Sequence, residues 1–142
     1  MFKRFARFLG RPWREKSLAL EATVFMTVAF CLVKVVPFRI YCRLLGQEGI
    51  ECDREADLSL LQRVVWAVKF ADRLFLRRSA CLSQAITGKW LLQRRQVAST
   101  LYLGVALQPQ AGIKAHAWLR CGSYIVTGGA GREEFSVVAR FT

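Results

Sequence analysis

The hydrophobic and polar positions of this chain repeat with a helical period up to about residue 96 and with a strand period after it. The mostly apolar residues 14–36, which Pro37 follows, predict one long helix. A short helix over Phe38 to Leu45 precedes a loop at 47–57, which holds half the acids of the chain and is expected to be solvated surface. The next predicted helix covers Leu58 to Phe75. Its apolar residues fall in helical spacing at Leu61, Val64, Val65, Val68 and Ala71.

A further helix is predicted after Ser79, because serine is a preferred N-cap residue. Its apolar residues recur four apart, at Leu82, Ile86 and Trp90. Arg94 and Arg95 follow, which places positive charge at the negative end of the helix dipole. The two ends therefore agree on the direction of the helix and put Cys81 in its first turn.

The remainder of the chain alternates between apolar and smaller or polar residues, as strands do. Predicted strands cover Leu101 to Leu107, a hairpin of Lys114 to Arg120 with Tyr124 to Thr127, and Glu134 to Phe141. Helices followed by antiparallel strands indicate an α+β fold, with N-terminal helices packed on a small antiparallel sheet. We expect one compact domain, in which residues 1–57 form a basic arm and apolar helices and residues 58–142 form the core.

The composition restricts the partners and cofactors of the chain. The net charge of +12 suggests an acidic partner, an anionic surface or nucleic acid. The basic residues are dispersed and form no recognition motif, so we expect no nucleic acid. Five cysteines without a C-x-x-C pair, together with a single histidine, offer no zinc spacing. We therefore expect reduced cysteines in a cytoplasmic protein without a metal or a cofactor.

The N-terminal region admits two interpretations. The uncharged run from Ala22 to Val33 follows a basic, aromatic arm, as in a signal peptide, but no cleavage motif comes after it. The run alone is shorter than the roughly 20 apolar residues of a spanning helix, which favours a buried core helix. The alternative is a membrane-facing helix, with the arm over residues 1–13 touching the anionic inner face of the membrane.

Cys81 and His116 are the strongest candidates for catalytic residues. A thiol reacts as the thiolate, and a helix N-terminus and a nearby imidazole both favour that form. In a strand, His116 and Trp118 share one face while Ala115 and Ala117 take the other. The small alanines allow a helix to pack closely, so the imidazole can reach a thiol at the start of that helix. The N–H groups of the first helical turn are natural oxyanion donors.

The segments around these two residues resemble the stand-alone leader peptidase of lasso-peptide biosynthesis, of the microcin-maturation type within the transglutaminase-like cysteine peptidase superfamily. The similar segments are 80–85, 91–95, 103–105, 115–119 and 126–129. The resemblance implies a papain- or transglutaminase-like core and removal of the leader from a ribosomally made precursor peptide. It also implies two partner proteins: a separate leader-binding precursor-recognition protein, and an ATP-dependent cyclase that takes the freed core peptide.

The resemblance makes Cys81 the nucleophile and His116 the general base, but the third member of the family's triad is missing. Its usual aspartate would fall on or beside Gly128, and the chain has no acid between Arg73 and Arg132. Depending on the hairpin turn, residue 127, 128 or 129 lies opposite the histidine, and among these only Thr127 has a functional side chain. A backbone carbonyl, or Glu133 or Glu134, are the other candidates for orienting the imidazole.

Two further residues are candidates for contacting substrate. Trp118, beside the base, is a candidate floor of a substrate groove, and Gln84 lies one helical turn below Cys81. The alternative function is a membrane-associated or scaffold component of the maturation complex with a degenerate peptidase site.

Overall fold

The computed structural model describes residues 9–75 and 80–142. Its helices are α1 (Trp13–Val35), α2 (Phe38–Tyr41), α3 (Leu58–Leu74) and α4 (Cys81–Gln93), with 3-10 turns at Cys42–Leu45 and Arg132–Glu134. Its strands are β1 (Thr100–Gln108), β2 (Gly112–Cys121), β3 (Tyr124–Thr127) and β4 (Ser136–Phe141). The predicted α+β class is confirmed, with helices first and one antiparallel sheet after them.

The helix ends follow local signals in the sequence. Asp57 caps α3, because its side chain accepts a hydrogen bond from the backbone N–H of Ser59 at 3.1 Å. Pro37 lies two residues after the end of α1. At α4 the N-cap position belongs to the extended residue Ala80, which makes Cys81 the first helical residue. Ser79, the predicted cap, and residues 1–8 of the predicted basic arm lie outside the described residues.

Helix α4 lies at the centre of the fold, and eight of its thirteen residues are buried. It packs against α1 and α3 on one side and against the sheet on the other. The apolar residues Leu82, Ile86 and Trp90, which predicted this helix, are therefore not all buried in it. Leu82 and Trp90 are only half-buried, whereas Ser83 and Thr87 are fully buried. Because α4 is packed between other helices and the sheet, small residues such as Ser83 and Thr87 are buried as well. The buried positions of α4 therefore do not follow a simple hydrophobic period.

A glycine in the middle of α4 lets the sheet approach the helix closely. A Cβ on Gly88 would lie 2.9 Å from Leu119 Cδ2, a distance that a side chain could not keep without displacing its neighbour. Glycine in a helix interior costs about 1 kcal/mol relative to alanine. The close contact with β2 compensates for that cost and fixes the height of α4 above the sheet.

The four strands are ordered β3-β2-β1-β4, and all neighbours are antiparallel. Gly122 and Ser123 form the turn between β2 and β3, with Gly122 in the left-handed region at φ +55°. A bulge between Leu119 and Arg120 shifts the pairing, so that Thr127 lies opposite Leu119. The chain beyond Thr127 therefore passes beside the first half of β2.

The acid-rich loop at 47–57 is mostly exposed, as predicted, and some of its side chains also bond to the outer face of the sheet. Glu51 bonds to Tyr102 and to Arg120, and it also accepts from Arg140 at 3.0 Å. Burial, together with the Glu51 hydrogen bond, raises the pKa of Tyr102 to about 12. The Tyr102 hydrogen bond in turn lowers the pKa of Glu51. The loop is thus fixed to β1, β2 and β4.

Helix α1 is buried on one side only. Its inner side, which includes Met26, packs against α3 and α4, while Leu20, Val24 and Val35 are 68%, 52% and 80% exposed. By length and composition alone, the whole helix is long and apolar enough to cross a membrane, with 28% of its most apolar window buried. The argument based on residues 22–33 therefore underestimated the length of the apolar helix. The prediction of a buried core helix describes only the inner side of α1.

Lys89 on α4 is a buried cation that joins the helix to the sheet. It is 5% exposed, and its Nζ donates to the carbonyl oxygens of Ser99 at 2.8 Å and Phe141 at 3.3 Å. Burial lowers the pKa of Lys89 to about 8. Below that pH the folded protein carries the buried charge, which opposes folding.

We expect Lys89→Met to remove a pH-dependent part of the stability. Between about pH 8 and 10.5 the unfolded lysine keeps its proton while the folded one loses it, so the free energy of unfolding rises with pH. The difference in unfolding free energy between wild type and variant should rise over this window by up to about 3 kcal/mol. Urea unfolding followed by tryptophan fluorescence measures it, and a difference that does not change with pH would contradict the assignment.

Candidate functional site

Cys81 is half-buried at the N-terminus of α4. The preceding residue Ala80 is extended, with φ −69° and ψ 153°, and its carbonyl accepts the first helical hydrogen bond from Gln84 N at 3.1 Å. The N–H groups of residues 81–83 precede this bond, so the helix itself provides no acceptor for them. The thiol therefore lies beside N–H donors that have no acceptor within the helix, at the positive end of the helix dipole.

A cavity of about 570 Å³ brings Cys81 and His116 together. Gln84 and Thr127 also line it. The other lining residues come from α3, from β3 and from the segment after β3: Val65, Val68, Lys69, Tyr124, Ile125, Val126, Gly128, Gly129 and Ala130. The walls are mostly apolar, with one lysine among them.

The imidazole of His116 is held by the backbone. Its Nε2 lies 2.8 Å from the carbonyl oxygen of Gly128. A carbonyl oxygen only accepts hydrogen bonds, so Nε2 must carry the proton and donate. In the neutral ring Nδ1 then has a free lone pair and is able to accept a proton. The hydrogen bond thus selects the tautomer that a general base requires.

Gly128 can bring its carbonyl to this place because it has no side chain. Its φ is +69°, in the left-handed region, and a Cβ there would lie 2.3 Å from the carbonyl oxygen of Ala117. The residue thus has two independent reasons to be glycine. Sequence reasoning proposed a backbone carbonyl only as one option, because a carbonyl gives no residue-type signal.

The other candidates for orienting the imidazole do not make the hydrogen bond that holds it. Thr127 is 8% exposed and opposite Leu119, and its hydroxyl has no hydrogen-bond partner in the described structure. The imidazole hydrogen bond goes to the Gly128 carbonyl rather than to this hydroxyl. Glu133 forms an ion pair with the adjacent Arg132 at 3.2 Å. The turn at Gly122 and Ser123 and the one-residue register shift after it explain the difference, since together they place Thr127 opposite Leu119, three residues along β2 from His116.

Trp118 is buried beside the imidazole and is not among the residues that line the cavity. Its ring is stacked on Tyr102 at 5.4 Å and lies 6.0 Å from the His116 ring, between centroids. It therefore supports the base from within the sheet and does not form the floor of a groove. Phe135, which the sequence did not indicate, also packs on His116, with centroids 5.0 Å apart.

These groups suit nucleophilic chemistry on a carbonyl carbon. A thiol, an imidazole with a free lone pair and helical N–H donors meet at one cavity. The thiol supplies the nucleophile, the imidazole moves the proton, and the N–H groups stabilise an oxyanion.

Comparison with protein families agrees with this geometry. A family model described as the transglutaminase-like superfamily matches residues 24–140, which include the second half of α1, the other helices, the sheet except its last residue, and the residues that line the cavity. Comparison with the curated proteins and with the solved structures gave no match.

We expect Gly128→Ala to destabilise the protein and to disturb the imidazole. The added Cβ meets the Ala117 carbonyl at a backbone angle that alanine disfavours, which together cost about 2–4 kcal/mol of unfolding free energy. Gly131→Ala is the matched control, because Gly131 has φ +73° and open space around its Cβ position. It should lose only about 1 kcal/mol. Equal losses in thermal or urea unfolding would show that the close contact is unimportant.

Proposed function

This chain belongs to the transglutaminase-like superfamily, and from that premise we propose that it is a cysteine peptidase that removes the leader peptide from a lasso-peptide precursor. The observation that carries the peptidase assignment is the cavity shared by Cys81 and His116. The substrate assignment rests on the resemblance of segments 80–85, 115–119 and 126–129 to the leader peptidases.

In the proposed first half-reaction, Nδ1 of His116 takes the proton of the Cys81 thiol. The thiolate attacks the carbonyl carbon of the scissile peptide bond, and the resulting oxyanion accepts hydrogen bonds from the first-turn N–H groups of α4. When the tetrahedral intermediate collapses, the imidazolium gives its proton to the leaving amine. The core peptide leaves with a free N-terminus, and the leader remains on Cys81 as a thioester.

In the second half-reaction, water replaces the amine. His116 takes a proton from the attacking water, and the new tetrahedral intermediate expels the thiolate and releases the leader with a free carboxylate. Through both steps the Gly128 carbonyl keeps Nε2–H in place. A neutral carbonyl orients the ring but gives the imidazolium less electrostatic support than a carboxylate.

We propose two protein partners for this reaction. A leader-binding precursor-recognition protein presents the precursor, and an ATP-dependent cyclase consumes the freed core peptide. Both follow from the resemblance to stand-alone members of the leader peptidase family. The net charge of +12 supports an acidic partner or an acidic leader.

The decisive experiment is mass spectrometry of a precursor peptide incubated with this protein and the recognition protein. We expect Cys81→Ala to reduce cleavage by a factor on the order of 10³ or more, and His116→Ala by about 10² or more. Cys31→Ala is the matched control, because Cys31 is exposed on α1 and should leave the rate unchanged. Full cleavage by Cys81→Ala would refute the mechanism. Binding of the precursor without cleavage by wild type would favour the scaffold function.

A second proposal, compatible with the first, is that α1 lies against an anionic membrane surface. It rests on the outer stripe of α1, which we define as Trp13, Leu20, Val24, Val28 and Val35, between 45% and 81% exposed. The helix of 23 residues extends over about 34 Å. Exposed cations, Arg14 and Lys34, lie at its two ends, and no charge lies between residues 22 and 33. Apolar side chains bordered by cations suit an interfacial helix on anionic lipid.

Flotation with phospholipid vesicles tests the membrane proposal. We expect the protein to float with vesicles containing phosphatidylglycerol and not with pure phosphatidylcholine at physiological salt. The double variant Leu20→Glu/Val24→Glu should abolish flotation, because it puts two charges into the apolar stripe. Leu107→Glu/Ile113→Glu is the matched control, since these residues are 82% and 75% exposed on the β1–β2 hairpin. If wild type does not float, the membrane proposal is wrong. Dimers in light scattering that the stripe variant no longer forms would indicate that a second copy of the chain, and not lipid, covers the stripe.

A further inference from the structure

We infer that Phe135 and Trp118 support the imidazolium form of His116 and thereby take over part of the role of the missing carboxylate. The inference rests on the proposed function, because it assigns these rings a part in forming the thiolate–imidazolium pair. They are positioning residues, since they contact the base and not the substrate.

Three rings are grouped on the outer face of the sheet, and we call them the ring cluster (His116, Trp118 and Phe135). The imidazole centroid lies 5.0 Å from that of Phe135 and 6.0 Å from that of Trp118. The interplanar angles are 34° and 27°, so both aromatic rings lie closer to parallel than to perpendicular with the imidazole. Trp118 is in turn stacked on Tyr102, with 4° between the planes. The cluster is thus supported from below.

A glycine in β1 makes the ring cluster possible. Gly104 is paired with His116, and a Cβ on it would lie 2.8 Å both from Phe135 Cβ and from Trp118 Cζ3. Its φ is not in the left-handed region, so backbone conformation does not require a glycine here. A glycine inside a strand weakens it and marks a close approach of other groups. Here those groups are the two rings that contact the base.

The charges near the cluster make this support useful. Lys114 Nζ lies 5.7 Å from the centroid of Phe135, and Lys69 lines the same cavity as His116. Both cations disfavour a further positive charge, and the hydrogen-bond partner of Nε2 is a neutral carbonyl. The negative faces of aromatic rings attract cations. The ring cluster therefore supplies attraction to the imidazolium at a place where a carboxylate would otherwise act.

The test is the rate at which iodoacetamide alkylates Cys81, followed by peptide mapping, because this readout needs no precursor peptide. We expect Phe135→Leu to slow the alkylation at pH 7 by about threefold to tenfold, the range expected for loss of one such ring contact. Phe135→Tyr keeps the ring and should stay within about twofold of wild type. Phe25→Leu is the matched control: it also removes a half-buried ring, one that packs on Trp90 away from the cavity.

The pH dependence separates this role from a merely structural one. At about pH 10 an ordinary thiol is ionised without help from a base, so wild type and Phe135→Leu should then react equally fast. Equal rates at pH 7, or a slower variant at every pH, would overturn the inference. Phe135→Met, which fills a similar volume without a ring, repeats the comparison should the leucine variant unfold.

The two proposals can fail separately. Cleavage of the precursor by Phe135→Leu at the wild-type kcat would leave the peptidase function standing and remove the role of the rings. Conversely, the expected alkylation pattern without cleavage by wild type would keep the ring cluster as support for the base and remove the leader peptidase assignment.

Discussion

The close packing of α4 between the other helices and the sheet is the constraint on which the rest of the structure depends. Gly88 allows Leu119 of β2 to come within contact of the helix backbone, and Lys89 bonds to carbonyls at the ends of two strands. These contacts fix the position of α4 over the sheet. Because Cys81 is the first residue of this helix, its thiol cannot move independently of β2 and β3. The rigid element, and not a loop, presents the nucleophile.

The base, His116, lies on the face of β2 that is turned away from α4, and a different set of contacts holds it there. Leu119 points toward α4, while His116 and Trp118 belong to the outer face, which the loop at 47–57 covers through Glu51. That loop bonds to Tyr102, which is 6% exposed and on which the equally buried Trp118 is stacked. The acids of the loop are partners of Arg120 and Arg140, and so they contribute to the support of the site.

The sequence predicted those parts of the protein that have a repeating signal. The periods of α1 and α3 and the alternation of β1 located these elements within a few residues, and the order of elements predicted the α+β class. The position of Cys81 at a helix start and of His116 on a strand also followed from local patterns. The neighbours of His116 did not, because the position of the hairpin turn and a one-residue register shift after it decide which residue lies opposite. The covering role of the 47–57 loop depends on tertiary contacts that charge content alone does not encode.

The missing aspartate shows how a site can be built from backbone and apolar rings. A carboxylate does two things for a catalytic imidazole: it selects the tautomer and it stabilises the cation. Here the Gly128 carbonyl selects the tautomer, and its approach requires glycine because of the contact with Ala117. In our proposal the faces of Phe135 and Trp118 supply the second effect, and Gly104 makes room for them. This arrangement thus depends on two glycines, Gly128 and Gly104, because a side chain at either position would collide with its neighbours.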